Sequence, residues 1–496
     1  MNKLFDKLFI FEMANNHQGS VDHGIKIIRE MGKITRKYGI NGAVKFQYRD
    51  LDTFIHKDFI GSTEIKHIPR FLGTRLSPNE FAAMVQTVRD EGMVTVCTPF
   101  DENSVSLILD HGIDILKVAS CSANDWSLLE TISKTKKPVI CSTGGLPLYK
   151  IDNVVSFFIH REVEFALLHC VGMYPTPVEN IFANFLSRLI KRFPYITLGY
   201  SGHESPDETD IVKVMIAKGA KIFERHVGVE TDTIKLNKYS MNPKQTEEWI
   251  KNAQKAFAIC GESDNKKITQ DEVESLRSLM RGVYAKQDIK AGEKLSPDKV
   301  YYALPCIENQ TSTSEYLDTL MATRDYSADE AIMERRPFDK VMALREVIHD
   351  IKGMLYEANI TVRKNFTIDL SHHYGIERIR QWGAVIVNMV NRTYCKKLII
   401  VLPGQKHPTH THKIKEETFQ LLWGDIEILM NGEQRFTLKP GESLLVEPGI
   451  KHSFSSVGGA ILEEISTTHI KGDSYYEDEE IAKKDLIERK TVIENW

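Results

Sequence analysis

Residues 94–120 read VTVCTPFDENSVSLILDHGIDILKVAS. Two short apolar runs, 94–100 and 115–120, flank a segment of helical pattern, and they carry Thr98, Lys117 and Ser120 at or near their ends. The same unit recurs on both sides. The runs 8–14 (LFIFEMA), 43–47 (AVKFQ), 138–144 (PVICSTG), 165–171 (FALLHCV), 197–203 (TLGYSGH) and 222–228 (IFERHVG) bring the count to eight. Eight strands alternating with helices predict an α/β fold, a closed (β/α)8 TIM barrel whose chemistry sits at the C-terminal strand ends. Those ends carry Glu12, Lys45, Thr98, Lys117, Ser120, Ser142, Ser201, His203 and His226.

The 496 residues exceed one core, so several domains are expected. An apolar share of 42% and a charged share of 27% describe an ordinary globular chain. A net charge of −4 argues against a nucleic-acid partner but leaves room for small anions, which need only local positive charge. The opening MNKLFDKLFIFEM carries Asp6 and Glu12 where a secretion signal would be unbroken, and no run is long enough to span a membrane. Seven cysteines without a CxxC pair suit the reducing cytoplasm. Cys97, Cys121, Cys141 and Cys170 read as small packed hydrophobes.

The barrel is expected over 1–265, with helices near 24–37 and 79–91, the latter opened by Ser77-Pro78. A charged segment, 261–272, ends it. Short strands around Ala291-Gly292-Glu293 and Ser296-Pro297 turns, echoed at 321–333, mark a β-rich module over 278–336. Val341, Leu344, Val347, Ile351 and Leu355 give 337–361 the pattern of a helical linker. From 362 to 496 the chain is strand-rich with Gly and Pro turns, a β-barrel or jelly roll, and its charged last stretch reads as helical or frayed.

Two lysines with hydroxyls nearby suit an anion bearing phosphate and carboxylate. His203 and His226, ending neighbouring strands, suit a divalent metal with open positions; the bland alternative is a pair of hydrogen-bonded structural imidazoles. Glu12 reads as a general base, a ligand for a sugar hydroxyl, or a mere counter-ion to Lys45. His17 and His169 are weaker candidates. A Schiff-base aldolase could use Lys117 but would leave the histidine pair unexplained.

In order, residues 12–19 (EMANNHQG), AVKFQ, TPF, KVAS, STGG, HCVGMYPTP, GYSGHE and ERH resemble the motifs of the sialic acid synthase family. These enzymes condense phosphoenolpyruvate with an amino-sugar aldehyde to give nonulosonic acids. The resemblance covers 8–260 closely. It extends to about 335, because the module around 283–304 resembles the antifreeze-like (SAF) domain of that family, which covers the partner subunit's site and so implies a homodimer. By that resemblance Lys45, Thr98, Lys117, Ser120, Ser142 and Ser201 hold phosphoenolpyruvate. His203 and His226 bind Mn2+ or Mg2+, Glu12 and Tyr174 face the sugar, and Asn15 and Gln47 join the substrate contacts. Three positions depart from the family: Gly172 stands for Asn or Ser, the loop 230–238 lacks a Gly-Pro-Asp and keeps only Asp232, and Leu304-Pro305-Cys306 replaces Arg-Pro-Gly. The lost sugar contacts imply an unusual or non-acetylated aldose.

Gly404-x5-His410-x-His412-x4-Glu417-x6-Gly424 resembles the first cupin motif, and Gly441 with Glu447-Pro448-Gly449-Ile450-Lys451-His452 the second. The proline is shifted by one residue, and Ser456 stands where Asn is common. By resemblance His410, His412, Glu417 and His452 share one metal, Mn, Fe, Ni or Zn. The spacing favours Glu417 over Glu416. The domain is similar to cupin sugar isomerases, and the alternative is a cupin that has lost its metal. The expected activity is thus a phosphoenolpyruvate-dependent synthase of a 3-deoxy-2-ulosonic acid for capsule or surface polysaccharide, with a cupin that isomerises or epimerises a sugar. The alternatives are a synthase acting on a phosphorylated sugar and a carbohydrate-binding regulator with an inactive barrel.

Overall fold

The computed structural model describes residues 3–262, 266–362 and 366–494, so the domain limits at 265 and 496 fall outside the described residues. Two compact units divide the chain, Met1–Lys267 and Ile268–Trp496.

The first unit is the eight-stranded parallel barrel the apolar runs predict. Strands β1 (Leu8–Glu12), β2 (Asn41–Tyr48), β3 (Val94–Pro99), β4 (Ile115–Val118), β5 (Val139–Ser142), β6 (Phe165–Cys170), β7 (Thr197–Gly202) and β8 (Ile222–His226) pair in chain order, and β8 closes onto β1. Helices such as Val21–Tyr38 and Pro78–Asp90 follow the strands. In the second of these the Ser77 hydroxyl accepts from the Glu80 amide while the Glu80 carboxylate accepts from the Ser77 amide at 2.6 Å, which fixes the helix start. The strands bury both faces, so the outward residues join the helices in one large core and the inward ones fill the barrel.

Inward residues alternate along a strand. Ile10, Ala43, Val96, Ile115, Ile140, Leu168 and Ile222 form the apolar layer, each large side chain contributing roughly 1.5–3 kcal/mol on burial. Two positions further towards the C-terminal mouth stand Glu12, Lys45, Thr98, Lys117, Ser142, Cys170 and Glu224. On β7 the corresponding pair is Gly199 and Ser201; a Cβ on Gly199 would collide with the Ile222 carbonyl, so only glycine fits against β8 there.

The second unit begins with the helix Gln270–Leu279 and a small module in which β9 (Gly282–Ala285) pairs antiparallel with β10 (Val300–Ala303). Isolated bridges Tyr284↔Ala331, Ile289↔Tyr326 and Lys294↔Met321 tie in the echoed segment, and Val283, Ile289, Leu295, Leu320 and Ile332 form its core. The helix Lys340–Glu357 buries Val347, Ile351, Met354 and Leu355 in the same cluster as Ile368, Leu370 and Ile400, so the expected linker is built into the C-terminal core.

That C-terminal part is a two-sheet β-sandwich. Its strands are β11 (Thr367–Ser371), β12 (Ala384–Asn391), β13 (Tyr394–Val401), β14 (Lys406–Thr411), β15 (Glu417–Gly424), β16 (Ile426–Met430), β17 (Gln434–Leu438), β18 (Ser443–Val446), β19 (His452–Ser455), β20 (Ala460–Thr467), β21 (Tyr475–Tyr476) and β22 (Lys490–Glu494). One sheet has the order β18-β15-β20-β13-β12-β11-β22, the other β17-β16-β19-β14-β21. Gly424 ends β15 at φ +85°, where a Cβ would strike the Gly459 carbonyl. The terminal stretch corrects the reading of a helical or frayed end. Two short helices, Glu479–Lys483 and Leu486–Arg489, lead into β22, which pairs along the whole of β11 because Val492 and Ile493 alternate faces. No helix among the described residues is long and apolar enough to cross a membrane.

Candidate functional site

The barrel mouth gathers the polar layer into one network. Lys45 Nζ lies 2.5 Å from Glu12 Oε2 and 2.9 Å from Glu224 Oε2. Lys117 Nζ donates to Ser142 Oγ at 2.6 Å and sits 3.7 Å from Glu224 Oε1, which also accepts from Ser201 Oγ at 2.8 Å. All of these side chains are buried. Both lysines are therefore fixed charges, and the counter-ion reading of Glu12 describes its contact as the chain stands. Thr98 Oγ1 is buried without a hydrogen-bond partner.

Environment splits the charges. Burial opposes ionisation of Glu224, but Lys117 and Lys45 outweigh it and hold the carboxyl down to about 2. Burial raises Glu12, which Lys45 only partly offsets and which the Glu224 charge pushes further up. Burial also opposes charge on Lys45, yet Glu12 and Glu224 raise its proton affinity, whereas Lys117 is lowered by burial with less compensation. Two carboxyls pushed apart in this way suit different roles in proton transfer.

Above this layer the His203 and His226 ring centroids lie 5.4 Å apart. His203 Nδ1 donates to the Val171 carbonyl at 3.0 Å, which leaves the Nε2 lone pair free. Burial lowers His203 to about 4 and, with His203 as neighbour, lowers His226 far below its usual range. Two neutral imidazoles with a free lone pair fit a divalent ion that keeps open positions. Tyr174 packs on His203 at 4.1 Å, and Tyr239 on His226 at 5.0 Å.

Other expected residues take supporting places. Ser120 Oγ accepts from the Gly144 amide at 3.0 Å, Asn15 donates to Thr74 Oγ1 at 2.5 Å, and Gln47 accepts from Arg49 at 2.9 Å. His169 donates to the Ile181 carbonyl at 2.7 Å, and His17 Nδ1 accepts from the Gly19 amide at 3.1 Å; both are structural here. Cys97, Cys141 and Cys170 are buried as expected, but Cys121 is exposed, a correction that follows from its place beyond β4. Asp232 is exposed in its loop. A cavity of about 800 Å3, walled by Leu146, Phe182 and Phe185, contains none of these charged residues.

Two residues escaped the sequence reading. Glu224, the hub of the network, was legible by parity, since it lies two residues past Ile222 and two before His226. Arg49, just beyond β2, stacks over Phe100 at 3.7 Å and Phe71 at 4.2 Å, and burial lowers its guanidinium to about 10. No local pattern marks it.

The second cluster lies between the sandwich sheets. His410 on β14 and His452 on β19 face each other in register, and donor atoms of His410, His412 and His452 all lie within 4.8 Å of one another. Each ring turns Nδ1 to a carbonyl: His410 to Pro408 at 3.2 Å, His452 to Ile450 at 3.2 Å, and His412 to Asp473. Their Nε2 lone pairs are thereby left for the centre. Buried Glu417 brings Oε2 to 3.2 Å from His452 Nε2 and Oε1 to 3.4 Å from His412 Nε2, while Glu416 is exposed. Lys415 meets Glu417 Oε1, but Glu417 Oε2 and His452 Nε2 are left facing each other with no hydrogen-bond partner, and a shared cation reconciles that pair, so the residues fit a metal. A cavity of about 410 Å3 opens over the cluster.

A family model described as the NeuB family matches residues 35–265, and one described as a cupin domain matches 397–467. The crystal structure of a protein assigned as spore coat polysaccharide biosynthesis protein E from Chromobacterium violaceum is 42% identical, covers 66% of this chain and 98% of that one, and superimposes with a TM-score of 0.63. The barrel carries a NeuB-family domain. Among curated relatives, the pseudaminic acid synthase of Campylobacter jejuni is 26% identical over 66% of this chain and 96% of its own. The N,N'-diacetyllegionaminic acid synthase of the same organism is 27% identical over 66% and 99%. The eight-stranded barrel is the NeuB part of the chain, and the β-sandwich carries the cupin match.

Proposed function

We propose that the barrel is a phosphoenolpyruvate-dependent synthase that condenses an aldose to a nonulosonic or other 3-deoxy-2-ulosonic acid. The observation that carries this reading is the buried Glu12–Lys45–Glu224–Lys117 network beneath two neutral imidazoles. Relatives named as pseudaminic and legionaminic acid synthases support it. Lys45 and Lys117, held rigid by Glu224, present ammonium groups to a phosphate and carboxylate, with Ser142, Ser201 and the unpartnered Thr98 hydroxyl adding donors. Ser120 and Gln47 complete the enol-phosphate side; Tyr174 and Asn15 lie towards the sugar. His203 and His226 would hold Mn2+ or Mg2+, which supplies Lewis acidity towards an aldehyde oxygen. Glu12, the carboxyl of raised proton affinity, takes a proton from the water that adds as phosphate leaves. Glu224 stays ionised and keeps both lysines charged.

The small module over 278–336 is read as an SAF domain that covers the partner's barrel in a homodimer, with 337–361 and 362–496 forming the cupin domain. The cupin is read as a metal site (Mn, Fe, Ni or Zn on His410, His412, Glu417 and His452) that isomerises or epimerises a sugar. The orphaned His452–Glu417 pair favours that over a metal-free cupin. The test is phosphate release from phosphoenolpyruvate with Mn2+ and a panel of N-acylated, free and phosphorylated aldoses, with products weighed by mass spectrometry. Release with at least one aldose, abolished in His226→Ala, is expected. No release from any aldose by folded, metal-loaded protein would favour a sugar-binding regulator instead.

A further inference from the structure

The cupin cavity is more cationic than a neutral sugar requires. Each carboxylate on its wall is already claimed by a lysine: Asp369 by Lys490 at 2.5 Å, Glu417 by Lys415, and Glu464 by Lys415 at 2.9 Å and Lys397 at 3.4 Å. Two further cations of the wall, Arg489 and Lys471, have no carboxylate within 4.0 Å among the described residues. Arg489 Nε is buried and has no hydrogen-bond partner. The guanidinium lies over the Tyr476 ring at 5.0 Å, and Tyr476 stacks on His410 at 5.5 Å with planes 23° apart. A free guanidinium therefore stands one aromatic ring away from the imidazole triad. A divalent ion there would add positive charge that the single carboxylate Glu417 does not cancel.

An uncompensated guanidinium in a half-dry wall is costly unless an anion meets it, and its fork matches a carboxylate in two-point fashion. We infer that the cupin cavity takes an acidic sugar, whose carboxylate pairs with Arg489 while its hydroxyl oxygens face His410, His412 and His452. This changes the expected occupant from a neutral aldose to the chemical class the barrel is proposed to form. Only the source of that acid rests on the synthase reading; the preference for an anion rests on the cavity. The chain then acts on its own product class rather than preparing its acceptor.

The test uses the full chain carrying His203→Ala and His226→Ala, so that the metal bands report on the cupin alone, and Arg489→Ala assigns the ligand heat to the same cavity. The protein is loaded with Co2+ and titrated with N-acetylneuraminate, mannose 6-phosphate and mannose, following calorimetric heat and the cobalt absorption bands. N-acetylneuraminate is expected to bind saturably and shift the bands, with mannose at least about tenfold weaker. Arg489→Ala is expected to weaken the acid about tenfold while leaving cobalt uptake unchanged. If Arg489→Ala unfolds, Lys471→Ala, at an exposed position, carries the same expectation in smaller degree. Equal binding of mannose, tighter binding of the phosphate ester, or acid binding indifferent to either substitution would overturn the proposal, as would failure of all three ligands. Because no condensation is measured, an inactive barrel would sink the synthase reading and leave this one standing.

Discussion

His17 shows how one buried side chain sets a pH limit on the barrel. Its ring is neutral, packs edge-on to Phe81 at 6.1 Å, and accepts from the Gly19 amide through Nδ1. Burial, with minor repulsion from His23 and Arg70, lowers it from 6.5 to about 4. The unfolded chain therefore takes up the proton first as the pH falls. The contribution of His17 is complete above 6.5 and is lost through the window from 6.5 down to about 4. A shift of that size corresponds to about 3 kcal/mol at the acid end. Denaturant unfolding of the barrel at stepped pH values should show this slope, and His17→Gln should flatten it. An unchanged slope would assign the acid sensitivity to other groups. At the same scale, Lys45, Lys117, His203 and His226 were legible because each directly follows, or lies close to, its strand's apolar run. Glu224 was obscured by the charged Arg225 beside it, although strand parity separates the two: Glu224 faces the lysines, whereas Arg225 pairs with Glu204 at 2.7 Å.

Strands and helices differ in how openly they announce themselves. The eight barrel strands were legible to within a residue or two, since strands covered on both faces read as unbroken apolar runs. The strand β22 was hidden because one of its faces is exposed and its sequence, KTVIE, alternates weakly between charges. Only the pairing partner β11 reveals it, and that contact spans more than a hundred residues of chain. The sandwich pays for this concealment with an edge that depends on the last few residues. Removing residues 490–496 should unpair Thr367–Ser371, uncover Ile368 and Leu370, and take Arg489 out of register at the cavity. The expected outcome is a lower unfolding midpoint for the second unit with the barrel transition unmoved. Equal loss in both transitions, or none, would contradict the role given to β22.

At the scale of the whole molecule, the two imidazole clusters lie in different compact units and are built on different plans. The barrel offers two rings and leaves the rest of a coordination sphere to substrate, whereas the cupin offers three rings and a carboxylate with their Nδ1 protons already spent on carbonyls. The fuller donor set predicts the tighter ion. Dialysis against limiting Mn2+ or Zn2+ should fill the cupin first, and His452→Ala should remove that tight class while a weaker class, lost in His226→Ala, remains. Each ion should also stabilise its own unit by mass action, about 2.7 kcal/mol at a free concentration a hundred times its dissociation constant. Adding metal to His452→Ala should then raise only the barrel transition, and adding it to His226→Ala only the cupin transition. If either substitution abolished both classes, or moved both transitions together, the clusters would be parts of one site, and the separate chemistry assigned to each unit would fall with that result.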